Sequence, residues 1–156
     1  MSNFLGEFEC KLDAKSRLSI PAALRKSLDP SAQEKFVVNR GFESCLSLFP
    51  YNEWLNISAE INKLNRYNKK NREFMRYFYR GAMELSLDAA GRLLLPKRLM
   101  EYAGIDKEII LSAYSNIIEV WDKSKFDNLL TKEPEDFANL AEEVMGGNKN
   151  DEQGIS

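Results

Sequence analysis

Two arginines occupy matching places in two nearly identical stretches of this chain. Residues 13–21 read DAKSRLSIP and residues 88–96 read DAAGRLLLP, so Arg17 and Arg92 each follow an aspartate by four positions. A guanidinium group can bind a phosphate, or the O6 and N7 edge of guanine, through two parallel hydrogen bonds. The pattern therefore predicts two equivalent turns that each present one such group.

The match between the two stretches extends well beyond the arginines. Asp13 and Asp88 are 75 positions apart (88 minus 13), and other residues follow the same offset. Self-similarity of this length indicates two copies of one structural unit. The pairs that share the offset outside the turns are Gly6 with Gly81, Glu9 with Glu84, Leu12 with Leu87, Leu18 with Leu93 and Leu24 with Leu99.

The other residues of each stretch suit a tight turn. Asp13 and Asp88 are predicted to accept backbone N–H bonds and hold the turn in place, which is a structural role. Gly91 supplies the positive φ that a sharp reversal requires, and Ser16 takes the same place in the first copy at some backbone cost. Lys15 adds a cation to the first turn where the second has Ala90, so the first turn is expected to be the more basic.

The pattern leaves two roles open for the arginines. Each could pair with the aspartate of its own turn, or each could bind a partner molecule such as DNA. A partner role would require both guanidinium groups to reach an exposed edge of the protein.

Composition argues against an enzyme. The 156 residues include no histidine, which removes the commonest general base and metal ligand, and there is no glycine-rich phosphate loop. The two cysteines, Cys10 and Cys45, are expected to be buried thiols in strands. No cofactor, metal or small-molecule substrate is expected. The short apolar runs predict no membrane span, and with no signal peptide pattern they favour the cytoplasm.

Charge is distributed unevenly along the chain. Residues 1–100 carry 17 basic and 11 acidic side chains, whereas residues 101–156 carry 5 basic and 13 acidic ones. This asymmetry is typical of a basic working surface and an acidic tail, although solvated faces of a soluble protein also produce it.

Alternating apolar residues, turn signals and helical spacing predict the same order of elements in each copy. That order is a strand, the aspartate–arginine turn, a return strand, a short helix after a proline, two further strands and then helices. The stretches concerned are strands 7–12, 36–39, 45–49, 83–87, 108–112 and 117–121, return strands 18–20 and 93–95, and helices 22–28, 52–64, 74–79, 97–103, 123–130 and 137–144.

The segment from Asn62 to Arg80 combines seven basic residues and one acidic residue with five aromatic ones. Interleaved basic and aromatic residues can bind nucleic acid. Packing of the aromatic residues on a core or a neighbouring subunit is the favoured interpretation, and the role of the basic residues stays open.

The stretches FLGEFECKLDAKSRLSIPAALR and GAMELSLDAAGRLLLPKRL, with LSLFPYNEW and IIEVWD, resemble the MraZ family of bacterial regulators. The resemblance implies an α+β fold of two AbrB-like (swapped-hairpin) repeats that form one pseudo-twofold barrel with short helices and peripheral amphipathic helices. Its expected parts are a first repeat with connecting helices at 4–80, a second repeat with C-terminal helices at 81–145 and a disordered tail at 146–156, in one intertwined unit.

The resemblance also implies a function. It predicts a nucleoid-associated transcriptional regulator that binds double-stranded DNA at direct repeats upstream of the division and cell wall gene cluster, including its own promoter. The protein is expected to assemble with itself into a ring. The family's DNA-contacting arginine falls on Arg17, with Lys15 beside it and Arg92 in the same place of the second copy. Ser16 departs from the family's preference for glycine.

A second hypothesis is a protein-interaction module, because AbrB-like folds also occur in antitoxins. In that case the acidic tail would capture a partner, and the two turns would be incidental. Cationic residues gather at the repeated turns, which favours the DNA-binding hypothesis.

Overall fold

The computed structural model describes residues 3–131 and 134–146. Contacts divide the chain into two compact units, with the boundary between Lys123 and Ser124. Within the described residues, the first unit contains eight strands and four α-helices. The second contains the rest of the helix that begins at Lys123, a further α-helix and a π-helix. The elements of the first unit are β1 Phe4–Lys11, β2 Arg17–Ser19, α1 Ala22–Lys26, a 3-10 turn Pro30–Ala32, β3 Lys35–Arg40, β4 Leu46–Pro50, α2 Tyr51–Asn62, α3 Lys69–Tyr79, β5 Met83–Ser86, β6 Arg92–Leu94, α4 Lys97–Ala103, β7 Glu108–Ser115 and β8 Ile117–Asp122.

Six of the strands form one antiparallel sheet in the order β1, β7, β8, β4, β3, β5. The order is symmetric about the β4–β8 pair, which joins the two repeats. Each outer strand comes from the opposite repeat, since β1 pairs with β7 and β5 pairs with β3. The repeats are therefore interlocked.

The two return strands complete the exchange. β2 pairs with β6 in a separate two-stranded sheet, with Leu18 opposite Leu93. Each strand that follows an aspartate–arginine turn therefore pairs with its counterpart in the other repeat. This arrangement confirms the predicted fold class of two swapped repeats.

The period-two alternation explains which side chains form the core. Leu18 and Leu93 are fully buried, and alternate residues of the other strands join them. The largest buried members of this shared core are Phe4, Leu18, Ile20, Leu24, Phe36, Leu46, Leu48, Leu93, Ile109, Leu111 and Ile118. Since both repeats contribute, neither has a core of its own.

Prolines start the two short helices α1 and α4 as predicted, and a further proline ends β4 and precedes the longer helix α2. Pro21 precedes α1, Pro50 precedes α2 and Pro96 precedes α4. A fixed φ suits this position, where a backbone N–H has no partner within the helix. Gly104 ends α4 in the left-handed region at φ 63°, as expected for a C-cap.

The second unit is helical where the structure describes it. α5 spans Lys123–Leu130, α6 spans Pro134–Ala141, and a π-helix continues over Glu142–Gly146. Gly146 is therefore helical, in contrast to the predicted start of the tail. Residues 147–156 of that predicted tail lie outside the described residues. Within the described ranges, the structure contains no helix that could cross a membrane.

Candidate nucleic-acid interface

Both aspartate–arginine turns are held by the same set of bonds. Oδ1 of Asp13 accepts the backbone N–H groups of Lys15 and Arg17, each at 2.9 Å. Oδ1 of Asp88 accepts those of Ala90 and Arg92 at the same distance. The backbone closes each turn as well, because Ser16 donates to the Asp13 carbonyl at 3.0 Å and Gly91 donates to the Asp88 carbonyl at 2.9 Å. We call these two turns the first tip (residues 13–17) and the second tip (residues 88–92).

Hydrogen bonding favours the ionised form of both carboxylates. The pKa of Asp13 lies below its ordinary value of 3.8, chiefly because the carboxylate accepts the Arg17 backbone N–H. The Arg92 backbone N–H lowers the pKa of Asp88 in the same way. At neutral pH each tip therefore contains a fixed negative charge beside its arginine.

Each arginine pairs with the aspartate of its own tip through Nε. The Nε to Oδ2 distance is 2.6 Å for Arg17 and Asp13, and 2.8 Å for Arg92 and Asp88. The arginine side chains remain 30% and 31% exposed, so neither is buried. Among the residues that the structure describes, Asp13 is the only side chain that pairs with Arg17, and it does so through Nε and not through the Nη atoms. Pairing through Nε thus orients the guanidinium group and leaves its outer edge accessible.

The two tips lie next to each other. Nη1 of Arg92 is 3.9 Å from Oδ2 of Asp13, an ion pair that crosses from the second tip to the first. The return strands explain this proximity, because Leu95 donates to the Ser16 carbonyl and Ile20 donates to the Gly91 carbonyl. Each tip is therefore held by a backbone hydrogen bond from the other repeat. A single subunit presents two adjacent guanidinium groups.

Backbone conformation differs little between the tips. Ser16 has φ 63° and Gly91 has φ 77°, both in the left-handed region. Serine bears a steric cost there that glycine avoids. The first tip therefore keeps the geometry of the second despite its serine, at some expense in stability.

We expect Ser16→Gly to stabilise the protein modestly. The left-handed conformation costs a non-glycine residue about 1–2 kcal/mol, and the extra freedom of glycine in the unfolded chain offsets about 0.5–1 kcal/mol of that gain. The free energy of unfolding in urea should therefore rise by about 0.5–1 kcal/mol. The reciprocal change Gly91→Ser is the matched control and should lower it. An unchanged or lower stability of Ser16→Gly would contradict the argument.

Arg25 is a residue of this surface that the sequence alone did not reveal. A Cβ atom on Gly91 would lie 2.7 Å from Nη1 of Arg25, so the arginine covers the second tip. Its Nε donates to the Ile20 carbonyl at 3.1 Å, which holds the side chain in that place. Arg25 therefore places a cation beside the second tip, as Lys15 does on the first, which comparison of the two stretches did not predict.

The aromatic residues of the basic and aromatic segment from Asn62 to Arg80 divide into two sets. Phe78 and Tyr79 pack on Trp54, with ring centroids 5.7 and 5.8 Å away. Tyr67 and Tyr77 instead remain 95% and 66% exposed. Packing on a core therefore accounts for only part of the aromatic residues.

Neither cysteine has the surroundings of a reactive thiol. Cys45 is buried just before β4, not within a strand as predicted, and Cys10 is half-buried in β1. Burial, with the nearby charges of Glu119 and Glu43, raises the pKa of Cys45 to about 12. In the described part of the chain, no group of three potential metal ligands is found.

Comparison with known proteins identifies the family. The model of the family described as "MraZ protein, putative antitoxin-like" matches residues 3–77 and again residues 78–147. The chain belongs to the MraZ family. Its two MraZ matches correspond to the two interlocked repeats of the structure.

Curated MraZ relatives match along their whole length. A protein of Christiangramia forsetii and one of Flavobacterium psychrophilum are each 48% identical over 100% of both chains. A protein of Cytophaga hutchinsonii is 36% identical over 96% of this chain and 99% of its own. Each of the three is named "Transcriptional regulator MraZ".

Proposed function

We propose that this protein is a transcriptional regulator that binds specific DNA sequences through its two tips. The name shared by its full-length relatives supports the regulatory role. The observation that carries the DNA-binding part is the adjacent pair of tips, each with an arginine oriented by its own aspartate. A regulator of this kind acts on DNA in the cytoplasm at the nucleoid and needs neither cofactor nor catalysis.

The arginines are proposed to read bases. A guanidinium group held through Nε can use its outer edge to donate two parallel bonds to O6 and N7 of guanine in the major groove. Orientation by Asp13 or Asp88 lowers the entropy lost on binding, because the side chain is already ordered. Arg17 and Arg92 would therefore provide sequence discrimination.

Lys15 and Arg25 are proposed to bind the phosphate backbone beside the tips. Lys15 is exposed on the first tip, and Arg25 covers Gly91 of the second. Phosphate contacts position a protein on the duplex without reading its sequence. Each tip would thus combine one base-reading arginine with one neighbouring cation.

We further propose a ring-shaped homo-oligomer that binds direct repeats upstream of the division and cell wall gene cluster, including its own promoter. The resemblance to MraZ regulators supports this arrangement. So does the small size of each tip, since one short turn contacts few base pairs and binds weakly by itself. Several identical tips on linked subunits can engage successive DNA repeats and so bind tightly.

Salt dependence tests the proposed division of roles. We expect Lys15→Ala to weaken binding to specific and random DNA alike, and to reduce the slope of log K against log salt concentration by about 1 for each engaged tip. Fluorescence anisotropy titrations of both duplexes at several salt concentrations measure these slopes. Lys63→Ala, an exposed lysine at the end of α2, is the control. An unchanged slope for Lys15→Ala would remove this lysine from the interface.

The antitoxin-like description of the family supports a second candidate, a protein-interaction module. In that case the acidic C-terminal stretch would bind the partner. Removal of residues 147–156 separates the two candidates. The DNA-binding proposal expects the shortened protein to keep its affinity for specific DNA. If the shortened protein instead loses a partner complex, and the tips bind no DNA, the protein-interaction module is favoured.

A further inference from the structure

The helix α3 presents a basic and partly apolar face to solvent. Residues 66–80 contain six basic side chains and one acidic one. Phe74 is 42% exposed and Tyr77 is 66% exposed on the same helix. Exposed aromatic residues among cations typically mark a surface that another molecule covers.

A hollow of about 410 Å³ adjoins this face, lined by Phe74, Tyr77 and Phe78 of α3. Arg40 also lines it and stacks on the Tyr102 ring, 4.4 Å from the ring centroid. Nε of Arg40 is buried and, among the described residues, has no hydrogen-bond partner. A buried donor without an acceptor is costly, so a hydrogen-bond acceptor from a partner would be favoured beside Arg40. Glu43 and Glu119 also line the hollow, so the cations that attract an acidic partner are those of α3.

Broken symmetry between the repeats explains why the hollow exists. β7 pairs with β1 over eight residues, from Phe4 opposite Ser115 to Lys11 opposite Glu108. β3 pairs with β5 over only four, and the pairing stops at Val38. On its β5 side the end of β3 therefore has no strand, while β4 pairs with its other edge as far as Arg40. There Asn39 donates to the Phe78 carbonyl of α3 instead, at 2.7 Å.

The last described segment of the chain has the opposite character. Residues 136–146 contain three acidic side chains and no basic one. Their apolar residues are exposed, at 66% for Phe137, 54% for Leu140 and 50% for Val144. A spacing of three and four residues places these three along one helical stripe, and an exposed apolar stripe typically marks a surface that another molecule covers.

We propose that α6 and the following π-helix of one copy pack on the α3 face of a second copy. The acidic segment matches the basic face in charge, and its apolar stripe matches Phe74 and Tyr77. An amphipathic helix laid in a hydrophobic groove is a common mode of recognition. Because the two surfaces are unlike, the contact is head-to-tail and can close a ring. This inference rests on the proposed ring and specifies which surfaces form it.

Charge reversal tests the contact in the full-length protein. Variant A carries Lys69→Glu, Lys70→Glu and Arg76→Glu, and variant B carries Asp136→Lys, Glu142→Lys and Glu143→Lys. Each variant alone should lose the oligomer and run at the single-chain mass of 17.9 kDa in light scattering after size exclusion. An equimolar mixture should assemble again, because the reversed face of A then meets the reversed helix of B, and the native helix of A meets the native face of B.

The matched control carries three reversals at exposed lysines elsewhere, Lys11→Glu, Lys26→Glu and Lys107→Glu, and should keep the oligomer. Circular dichroism of every variant shows whether it is folded. If folded A and B stay oligomeric, the proposed contact is wrong while the ring is retained. A further chain carries all six substitutions of A and B. If this chain recovers a folded state that A and B alone have lost, while the mixture of A and B does not assemble, the helix packs within its own chain and the inference is overturned. A monomeric wild type would instead contradict the ring itself.

Discussion

Arg17→Ala should abolish the preference of this protein for its operator while the oligomer stays intact. A bidentate arginine–guanine contact contributes about 1–3 kcal/mol of discrimination, so a loss of about 5- to 150-fold is expected for each engaged tip. Gel shifts with operator and random DNA, at one salt concentration, measure the ratio of the two affinities. A variant that still discriminates operator from random DNA would contradict the assignment.

Two further variants show how Arg17 acts. Arg17→Lys keeps the charge but lacks the planar fork, so it should retain nonspecific affinity and lose discrimination. Asp13→Asn removes a negative charge near DNA and also loosens the Arg17 Nε pair. It should therefore raise the affinity for random DNA while reducing the operator preference. Arg92→Ala is expected to weaken operator binding less than Arg17→Ala if only some tips engage at once.

The number of DNA repeats should have the other large effect. Linking a second binding event to the first raises affinity by about 10²–10⁴-fold when the spacing fits. Duplexes with one, two, three and four direct repeats, titrated at two salt concentrations, should therefore show a steep gain from one repeat to two. The gain follows from subunits that hold their tips at fixed intervals.

Spacing provides the control for this experiment. Inserting about half a helical turn, roughly 5 base pairs, between two repeats rotates the second site to the opposite face of the duplex. The linked gain should then disappear, although each repeat keeps its sequence. Equal affinity for one and four repeats, or indifference to the insertion, would contradict binding by a ring.

The sequence was sufficient for the local structure of the tips. Asp13 and Asp88 cap their turns through nearby backbone N–H groups, and Gly91 takes a positive φ; both features depend on residues within a few positions. Proline starts and period-two alternation located most of the helices and strands for the same reason, although α3 begins at Lys69 and not at Phe74 as predicted. The 75-residue offset also predicted two equivalent units, because a repeat copies local preferences.

The sequence left the state of the arginines undecided, and it missed Arg25. Whether Arg17 pairs, binds a partner or does both depends on where its Nη atoms point. Arg25 lies on a helix 66 positions before Gly91 (91 minus 25), and the spacing along the chain carries no signal of that contact. Exposed charges of this kind have no periodicity that would distinguish a site from a solvated face.

The chain by itself therefore determined the turns, the strands, the repeat and the family likeness, all of which depend on neighbouring residues or on the comparison of two stretches. Only the tertiary structure decided which strands pair, how the tips come together and where the Arg40 hollow opens. The alternation of apolar and polar residues indicates which side of a strand is buried, but it does not indicate which strand lies beside it. That choice is made by the shared core, in which Leu18 of one repeat packs opposite Leu93 of the other.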